Sequence, residues 1–234
     1  MIENYVPAAS TYAGELDALF TLIFVLVGFW FFLCEGVFFG LIIRFYKRKG
    51  IGPEYITGEE RSQKRWITLP HLLVLVFDIF IVVGAVRVWY DIKQDLPPAQ
   101  ETVRVIGQQW AWTFVHPGPD GKLDTADDIT KVNELHVKVG TLYHYQLEAT
   151  DVLHSFSVPV FRLKQDAIPG RVITGWFEAT QTGEWDIQCA EICGIGHGLM
   201  GGRIHIESTD QHAAWMAGEA STSLVASASS QVQE

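Results

Sequence analysis

The chain has 234 residues, of which 48% are apolar and 19% charged, and its formal net charge is −10 at pH 7. Eight Trp and 14 Phe residues supply enough apolar surface for a sizeable core, which excludes an intrinsically disordered protein. From Asp91 onward there are 19 acidic and nine basic residues, so this part alone carries a net charge of −10. A surface of that charge repels the phosphates of nucleic acid and attracts a basic partner.

Two apolar runs near the N-terminus predict a pair of transmembrane helices. Residues 18–43 include one acidic side chain, Glu35, and no basic one. These 26 residues, at about 1.5 Å per residue, can cross a hydrocarbon core of about 30 Å. Residues 66–86 form a second run with two ionisable side chains, His71 and Asp78. Together the runs predict a membrane hairpin over residues 18–90, embedded in the lipid bilayer.

The charges that flank the two runs predict how the hairpin is oriented. A cleaved signal peptide begins with a basic segment, whereas residues 1–17 contain neither Lys nor Arg, so the first run is expected to remain as an anchor. The connecting loop, residues 44–65, holds seven of the 17 basic residues of the chain. By the positive-inside rule this loop is cytoplasmic. Residues 1–17 and everything after the hairpin are therefore expected on the outer face of the membrane.

The outer part of the chain, residues 91–216, contains short strand-like segments separated by turn residues. They are rich in β-branched and aromatic residues, and several alternate polar with apolar side chains: 102–106, 110–115, 135–139, 143–149, 154–158, 172–177, 183–188 and 203–206. This spacing predicts an antiparallel β-sandwich or barrel. Residues 217–234 are rich in Ala, Ser and Gln and are expected to be a disordered tail.

A cluster of metal-ligand residue types lies late in the chain. Cys189, Cys193, His197 and Met200 fall within twelve residues, and His154 precedes them. Soft sulfur beside imidazole favours copper. A single-copper electron-transfer site uses one cysteine, two histidines and a weak axial ligand. The second cysteine therefore indicates a second copper, with both sulfurs bridging the two ions.

Two other interpretations of the same residues stay open on spacing alone. The two cysteines could form a disulfide, or with His154 and His197 they could bind a zinc ion through two sulfurs and two nitrogens. Neither alternative has a use for Met200, so copper is favoured. The third cysteine, Cys34, lies in the first apolar run and is expected to be a small core residue.

Five segments of the chain resemble subunit II of the haem-copper cytochrome c oxidases. They are residues 66–70 (WITLP), 107–112 (GQQWAW), 151–156 (DVLHSF), 163–171 (LKQDAIPGR) and the cysteine loop. The resemblance covers nearly the whole chain and implies a membrane hairpin followed by a cupredoxin-like sandwich. It also implies a binuclear copper A centre, which takes electrons one at a time from cytochrome c and passes them to haem in subunit I.

The resemblance also implies a role for each candidate ligand. Cys189 and Cys193 are similar to the bridging thiolates of that family, and His154 and His197 to its terminal imidazoles, one on each copper. Met200 is similar to the weak axial ligand on one of the two copper ions.

Two further positions carry roles that the resemblance implies. Glu191 would give its backbone carbonyl to the other copper, and its carboxylate would bind a magnesium or manganese ion at the boundary with subunit I. Trp110 is similar to the exposed tryptophan through which electrons enter. The chain would then work in the inner (plasma) membrane with subunit I and other oxidase subunits. Its copper domain would face the periplasm, and a basic cytochrome c or a membrane-bound cytochrome c would be the donor.

In such an oxidoreductase and translocase of the respiratory chain, this subunit would only transfer electrons.

Three alternative functions come from other classes of protein. Quinol oxidase subunit II shares the hairpin and the sandwich but lacks the copper ligands, whereas nitrous oxide reductase carries a similar copper loop on a soluble enzyme. The third alternative is a membrane-anchored copper-binding or structural module.

Residues 117–129 look like an insertion relative to the family pattern. Four aspartates, Asp120, Asp124, Asp127 and Asp128, lie within it. Their spacing is not that of an EF-hand, so a solvated turn is favoured over a calcium site.

Overall fold

The computed structural model describes residues 5–46, 50, 52 and 55–219, and it divides into two compact units. One unit comprises residues 15–91. The other comprises residues 1–14 together with residues 92–234.

The smaller unit is a pair of long apolar helices, α1 (Ala13–Arg44) and α2 (Arg61–Trp89), followed by one π-helical turn at Tyr90–Gln94. Both helices are long and apolar enough to cross a membrane. The predicted runs lie inside them. Because α2 begins at Arg61, the last part of the predicted connecting loop is helical, and residues 47–49, 51, 53 and 54 of that loop lie outside the described residues.

Aromatic rings join the two helices. Phe77 of α2 stacks on Phe29 of α1 with centroids 5.9 Å apart, and it meets Trp30 edge-on at 5.4 Å. The outward faces carry exposed Phe, Leu, Ile and Val side chains, as lipid-facing helices do. Cys34 lies on such an exposed face, so its prediction as a core residue was wrong. The error arose because a continuous apolar run does not distinguish protein-facing from lipid-facing positions.

The larger unit is a sandwich of two five-stranded sheets, with strand orders β3-β2-β1-β5-β8 and β4-β10-β9-β6-β7. The strands are β1 (Glu101–Gln108), β2 (Ala111–His116), β3 (Ile129–Val132), β4 (Glu134–Lys138), β5 (Leu142–Ala149), β6 (His154–Val158), β7 (Leu163–Ala167), β8 (Ile173–Glu178), β9 (Gly183–Cys189) and β10 (Gly201–Glu207). The predicted hairpin followed by a sandwich is confirmed. The sheets are mixed, however, because β1 pairs with β5, and β10 with β4, in parallel.

The core of the sandwich follows from the alternation of side chains along its strands. In β2 and β5 every second residue is buried, as expected when one face of a strand meets the opposite sheet. Phe156 of β6 lies at the centre, with its ring 5.5 Å from that of Trp112 and 6.2 Å from that of Phe114. Trp112, Phe114 and Phe156 are completely buried. This packing fixes β6, the strand that carries His154 at its start.

The N-terminal segment, residues 5–12, belongs to the sandwich unit. The Ala9 amide donates to the Val160 carbonyl (2.8 Å), and the Ala9 carbonyl accepts from the Thr180 amide (2.9 Å). The Ser10 hydroxyl donates to the Phe161 carbonyl at 2.9 Å. Ala9 is fully buried. The chain therefore packs against its own sandwich before it enters α1.

A short helix, α3 (residues 209–219), follows the last strand. It begins with reciprocal capping, since the Ser208 amide donates to the Gln211 side chain (3.0 Å) and the Gln211 amide donates to the Ser208 hydroxyl (3.3 Å). This is a capping box. Residues 217–219 of the predicted tail lie in α3, and the rest of that tail, residues 220–234, lies outside the described residues.

Candidate metal centre

Strand pairing brings the candidate ligands together at one end of the second sheet. Cys189 ends β9, and the loop that follows returns through a 3-10 turn at His197–Leu199 to the start of β10. The Cys189 amide donates to the Met200 carbonyl at 3.1 Å and so closes the loop. Because Cys189 lies opposite Phe156 in the β6–β9 pair, His154 at the start of β6 is near the same loop.

Three side chains lie beside the two thiols. The Sγ atoms of Cys189 and Cys193 are 3.8 Å apart, and both cysteines are free. His154 Nδ1 lies 3.9 Å from Cys189 Sγ, while His197 Nδ1 lies 3.6 Å from Cys193 Sγ. Met200 Sδ is 3.7 Å from Cys193 Sγ. The pair of sulfurs therefore has one imidazole beside each member and a thioether on the Cys193 side.

A backbone oxygen lies on the other side of the sulfur pair. The Glu191 carbonyl oxygen is 3.3 Å from Cys189 Sγ. The loop residues that carry these donors differ in exposure. Cys189, Cys193 and Met200 are buried, whereas the side chain of Glu191 is partly exposed.

The donor set fits sulfur-bridged metal ions. With metal–sulfur bonds of about 2.3 Å, one ion can join sulfurs up to about 4.6 Å apart, so a separation of 3.8 Å is within reach. His154, Cys189 and Cys193 present donor atoms that are all within 4.8 Å of one another, and His197 lies beyond this set on the Cys193 side. The neighbouring donor contacts of 3.6 to 3.9 Å are close to the donor separations of about 3.8 Å in a tetrahedral metal site.

The surroundings of Cys193 favour its protonated thiol form. Burial, together with the neighbouring Cys189, raises the pKa of Cys193 to about 11. Both sulfurs would have to be thiolates to bridge two metal ions, and a bound cation stabilises the thiolate form.

The Asp151 carboxylate orients His154, a candidate ligand, through the ring nitrogen that does not face the thiol. Asp151 Oδ1 accepts a hydrogen bond from His154 Nε2 (2.9 Å), which leaves Nδ1 facing the sulfur. The same carboxylate accepts from the backbone amides of Gln109 (2.7 Å) and Val152 (2.6 Å). In metal-binding histidines, a carboxylate or carbonyl group that accepts from the other ring nitrogen fixes the tautomer and the orientation of the ring. Sequence reasoning gave Asp151 no role, although its position three residues before a candidate histidine ligand was visible.

Trp110 lies against the cysteine loop. Its Nε1 donates to the Cys193 carbonyl at 3.3 Å, and the side-chain amide of Gln109 donates to the same oxygen at 2.7 Å. The indole ring covers Gly196 so closely that a Cβ atom there would collide with it. Trp110 remains 39% exposed. It therefore joins the protein surface to the backbone of a candidate ligand.

The surface of the cysteine loop is apolar. Ile192, Ile195 and Leu199 are 74%, 97% and 90% exposed. Large apolar side chains exposed together on a short loop indicate a surface that another molecule covers.

The acidic loop after β2 is held together by its own hydrogen bonds. Arg104 of β1 forms a bidentate pair with Asp124, with both N–O distances 2.9 Å. The Thr125 hydroxyl donates to Asp127 at 2.7 Å, and the Asp120 amide donates to the same carboxylate at 3.2 Å. These carboxylates are thus engaged by groups of the loop and of β1.

Comparisons with known proteins match the part of the chain that contains these residues. A sequence profile described as cytochrome c oxidase subunit II, periplasmic domain, matches residues 101–209. The chain is 29% identical to the alternative cytochrome c oxidase subunit 2 of Bradyrhizobium diazoefficiens, over 91% of this chain and 82% of that protein. The chain belongs to the cytochrome c oxidase subunit II family.

Two further proteins are similar to all or part of the chain. Subunit 2 of cytochrome c oxidase from Cereibacter sphaeroides is 26% identical over 91% of this chain and 78% of that protein. The solved periplasmic domain of subunit II of cytochrome oxidase from Bradyrhizobium japonicum is 31% identical, covers 55% of this chain and 99% of that domain, and has a TM-score of 0.49. This member of the cytochrome c oxidase subunit II family is an oxidoreductase subunit with two long apolar helices and a β-sandwich domain.

Proposed function

We propose that this chain is the electron inlet of cytochrome c oxidase, in which a binuclear copper A centre takes electrons from cytochrome c for haem in subunit I, where oxygen is reduced to water. The observation that carries the proposal is the pair of free thiols, 3.8 Å apart, with one imidazole nitrogen beside each. When bound, the two copper ions would share one electron, so that little of the surroundings reorganises on transfer.

The residues of the chain have distinct tasks in this proposal. Cys189 and Cys193 would hold both ions through their sulfurs, and His154 and His197 would each bind one ion through Nδ1. The backbone supports this arrangement, because the loop is closed by the Cys189–Met200 hydrogen bond. Asp151 keeps the proton of His154 on Nε2 and so keeps Nδ1 available.

Met200 and Glu191 would complete the site from opposite sides. The Met200 thioether is beside Cys193, and the Glu191 carbonyl oxygen is beside Cys189. Weak axial groups of this kind tune the reduction potential of a copper site. The Glu191 carboxylate, which is partly exposed, would be free to bind magnesium or manganese at the boundary with subunit I.

Electron entry would take place at Trp110. Its ring is partly exposed on one side, and its Nε1 bonds to the Cys193 carbonyl on the other. The outer part of the chain has a net charge of −10, which would steer a basic cytochrome c toward it. Reduction of the centre by such a donor should become slower as ionic strength rises, because salt screens the attraction. Reduction that is independent of salt would count against this steering.

The proposed setting is the inner membrane, with the copper domain on the periplasmic face and subunit I and other oxidase subunits as partners. The two apolar helices support the anchor. The exposed Ile192, Ile195 and Leu199 support a surface that is covered in the assembled complex. Transfer of electrons, rather than oxygen chemistry, is the part of the reaction assigned to this chain.

The decisive experiment counts copper and locates the unpaired electron. The full-length chain, purified in detergent without metal, would be loaded with Cu(I) and Cu(II) together and analysed for copper content and electron spin resonance. Two copper ions per chain and one spin shared by two copper nuclei are expected. A single copper with a localised spin would contradict the proposal. Stoichiometric binding of one zinc ion that prevents copper loading would instead favour the Cys2His2 zinc interpretation.

A further inference from the structure

Four histidines and a tryptophan form a second cluster in the sandwich, well away from the cysteine loop. His116 ends β2, His136 lies in β4 and His205 lies in β10, while His212 and Trp215 lie in α3. His205 is five residues beyond Met200 along β10, about 16 Å in an extended strand. We call these five residues the histidine cluster. They are independent of the metal ligands proposed above.

Ring stacking fixes α3 to both sheets. The His136 ring lies between those of His205 and Trp215, with centroid distances of 4.4 and 4.3 Å and interplanar angles of 11° and 6°. Trp215 also meets His116 edge-on at 5.1 Å. Because β2 and β4 belong to different sheets, this single tryptophan joins α3 to each of them.

One carboxylate links the strand to the helix. Glu207 accepts a hydrogen bond from His136 Nδ1 at 2.8 Å through Oε1, and another from His212 Nδ1 at 2.9 Å through Oε2. Both oxygens of the carboxylate are therefore used, one for β4 and one for α3. A further ion pair, Lys131–Glu219 at 2.5 Å, joins β3 to the end of the helix.

Two histidines of the cluster, His116 and His136, have little capacity to accept a proton. Burial lowers the pKa of His116 to about 3, helped by the nearby His136, His212 and Lys131. Within the described part of the chain, no group hydrogen-bonds to His116 Nε2, so an added proton there would be buried without a partner. Burial also lowers the pKa of His136, although the hydrogen bond to Glu207 opposes that shift.

The charged residues near the cluster do not offset the cost of burying an added proton there. Groups of both signs surround the cluster on the strands and the helix packed against it: Glu101, Lys131, Glu134, Lys138, Glu184, Glu207 and Glu219. Several are already paired. Lys138 pairs with Glu101, and His205 pairs with Glu184 at 3.3 Å. The carboxylate that faces His136 is shared with His212 and has no free oxygen.

We propose that the histidine cluster is a pH-sensitive latch, which holds α3 against the sandwich at neutral pH and releases it when the outer face becomes mildly acidic. Release places His116 and His136 in water, where histidine has a pKa of about 6.5. In the released state, His116 and His136 therefore bind protons that they do not bind in the latched state. As the pH falls from 7.5 to 5.5, two such histidines would raise the equilibrium constant for release by at most about 100-fold.

Hydrogen exchange of the full-length chain in detergent tests the latch directly. Exchange of the α3 amides would be followed by mass spectrometry at pH 7.5 and pH 5.5, with each rate corrected for the intrinsic effect of pH. Protection of residues 209–219 should fall by ten- to 100-fold at the lower pH, while protection of β1 and β5 stays constant. Equal protection of α3 at the two pH values would overturn the proposal.

Substitutions separate titration from simple packing. His136→Phe keeps a ring between His205 and Trp215 but cannot take up a proton, so protection of α3 should depend much less on pH. His116→Phe should have a similar effect and gives a second test if the first variant loses protection throughout the sandwich. His144→Phe is the matched control, because His144 lies outside the cluster and its Nε2 donates to the Pro97 carbonyl. It should respond like the parent.

The Trp215→Ala variant provides a reference for the state in which α3 is released. Loss of the indole removes the ring contacts to both sheets, so α3 should exchange rapidly at both pH values. If the two histidine-to-phenylalanine variants that remain folded respond to pH as the parent does, the titrating groups lie elsewhere and the latch is refuted.

Discussion

The sandwich domain contains two sets of histidines that differ in what their nitrogen atoms face. At the cysteine loop, the Nδ1 atoms of His154 and His197 face thiol sulfurs. In the histidine cluster, the Nδ1 atoms of His136 and His212 face the two oxygens of a single carboxylate. Histidines become a metal site only where their donor atoms converge with other donors. Where their rings stack and their nitrogens are already hydrogen-bonded, they fasten one element of the fold to another.

The two sets also differ in how they respond to a cation. A bound metal ion would stabilise the arrangement of buried thiols and nearby imidazoles, because it stabilises the thiolate form of the cysteines. Protonation of His116 or His136 would instead destabilise the packed cluster, because the added charge would be buried. One strand, β10, joins the two sets, since it begins after Met200 and ends at Glu207. Substitutions at either end of the strand should therefore separate metal binding from proton binding.

The largest effect is expected from Cys193→Ser, which removes one of the two sulfurs that would bridge the ions. Copper content should fall from two ions to one or none per chain, measured by elemental analysis and electron spin resonance. The matched control is Cys34→Ser, because Cys34 is exposed on α1 and lies in the other unit. A Cys193→Ser chain that keeps two copper ions and a shared spin would refute the bridging role.

A smaller effect on the same site is expected from Asp151→Asn. The amide can still accept one backbone hydrogen bond, but it no longer offers a carboxylate to both His154 Nε2 and Gln109, so the imidazole is less firmly oriented. Metal affinity should fall about 10- to 100-fold. Competition with a chelator of known affinity would measure it, together with the spin resonance spectrum.

A surface aspartate provides the control for that variant. Asp186 pairs with Arg203 at 2.8 Å and both side chains are well exposed, so Asp186→Asn should leave copper affinity unchanged. If Asp151→Asn binds copper as tightly as Asp186→Asn does, Asp151 supports the turn and not the ligand.

In the histidine cluster, His116→Phe should change the response to acid. In the folded chain the pKa of His116 is about 3, so the stability it contributes is complete above pH 6.5 and is lost as the pH falls toward 3. At pH 5 this loss is about 2 kcal/mol relative to neutral pH. The variant should lose about 2 kcal/mol less than the parent between pH 7.5 and pH 5, measured by urea denaturation followed through tryptophan fluorescence. An identical pH dependence in parent and variant would show that His116 does not titrate on unfolding.

The smallest effect is expected from Gly196→Ala, a change of one methyl group beside Trp110. The new Cβ would collide with the indole ring, so the ring or the loop must shift, and reduction by cytochrome c should slow severalfold while two copper ions stay bound. Gly198→Ala is the matched control, because its Cβ would meet nothing within 4 Å. Stopped-flow reduction of the two variants would compare them, and equal rates would remove this contact from the electron path.

Much of the fold could be predicted because its signals are local. The apolar runs predicted both helices, and six-residue alternations predicted strands such as β2 and β8. The strand β3 was missed because it has only four residues after an acidic loop, and β7 because its centre is Lys164-Gln165-Asp166. The helix α3 carried a recognisable signal in its capping box, Ser208 to Gln211, which was overlooked.

The candidate site could be predicted as far as its ligands are close in sequence. Cys189, Cys193, His197 and Met200 lie on one loop, and His154 was added as an upstream histidine, to which the family resemblance then gave a role. Contacts that depend on strand register were beyond reach. The link from Asp151 to Gln109 spans 42 residues, and the link from His136 to Glu207 spans 71. Nothing in a single sequence fixes such pairs before the sheets are aligned.

The N-terminal segment has a practical consequence for producing the copper domain as a water-soluble fragment. A fragment that starts at Ile92 would omit the strand-like residues around Ala9 and Ser10, whose backbone and side chain bond to Val160, Phe161 and Thr180. Those carbonyl and amide groups, together with the pocket for Ala9, would then be open to solvent. A fusion that carries residues 5–12 back to the sandwich through a short flexible linker should express as a better-ordered domain than the simple truncation.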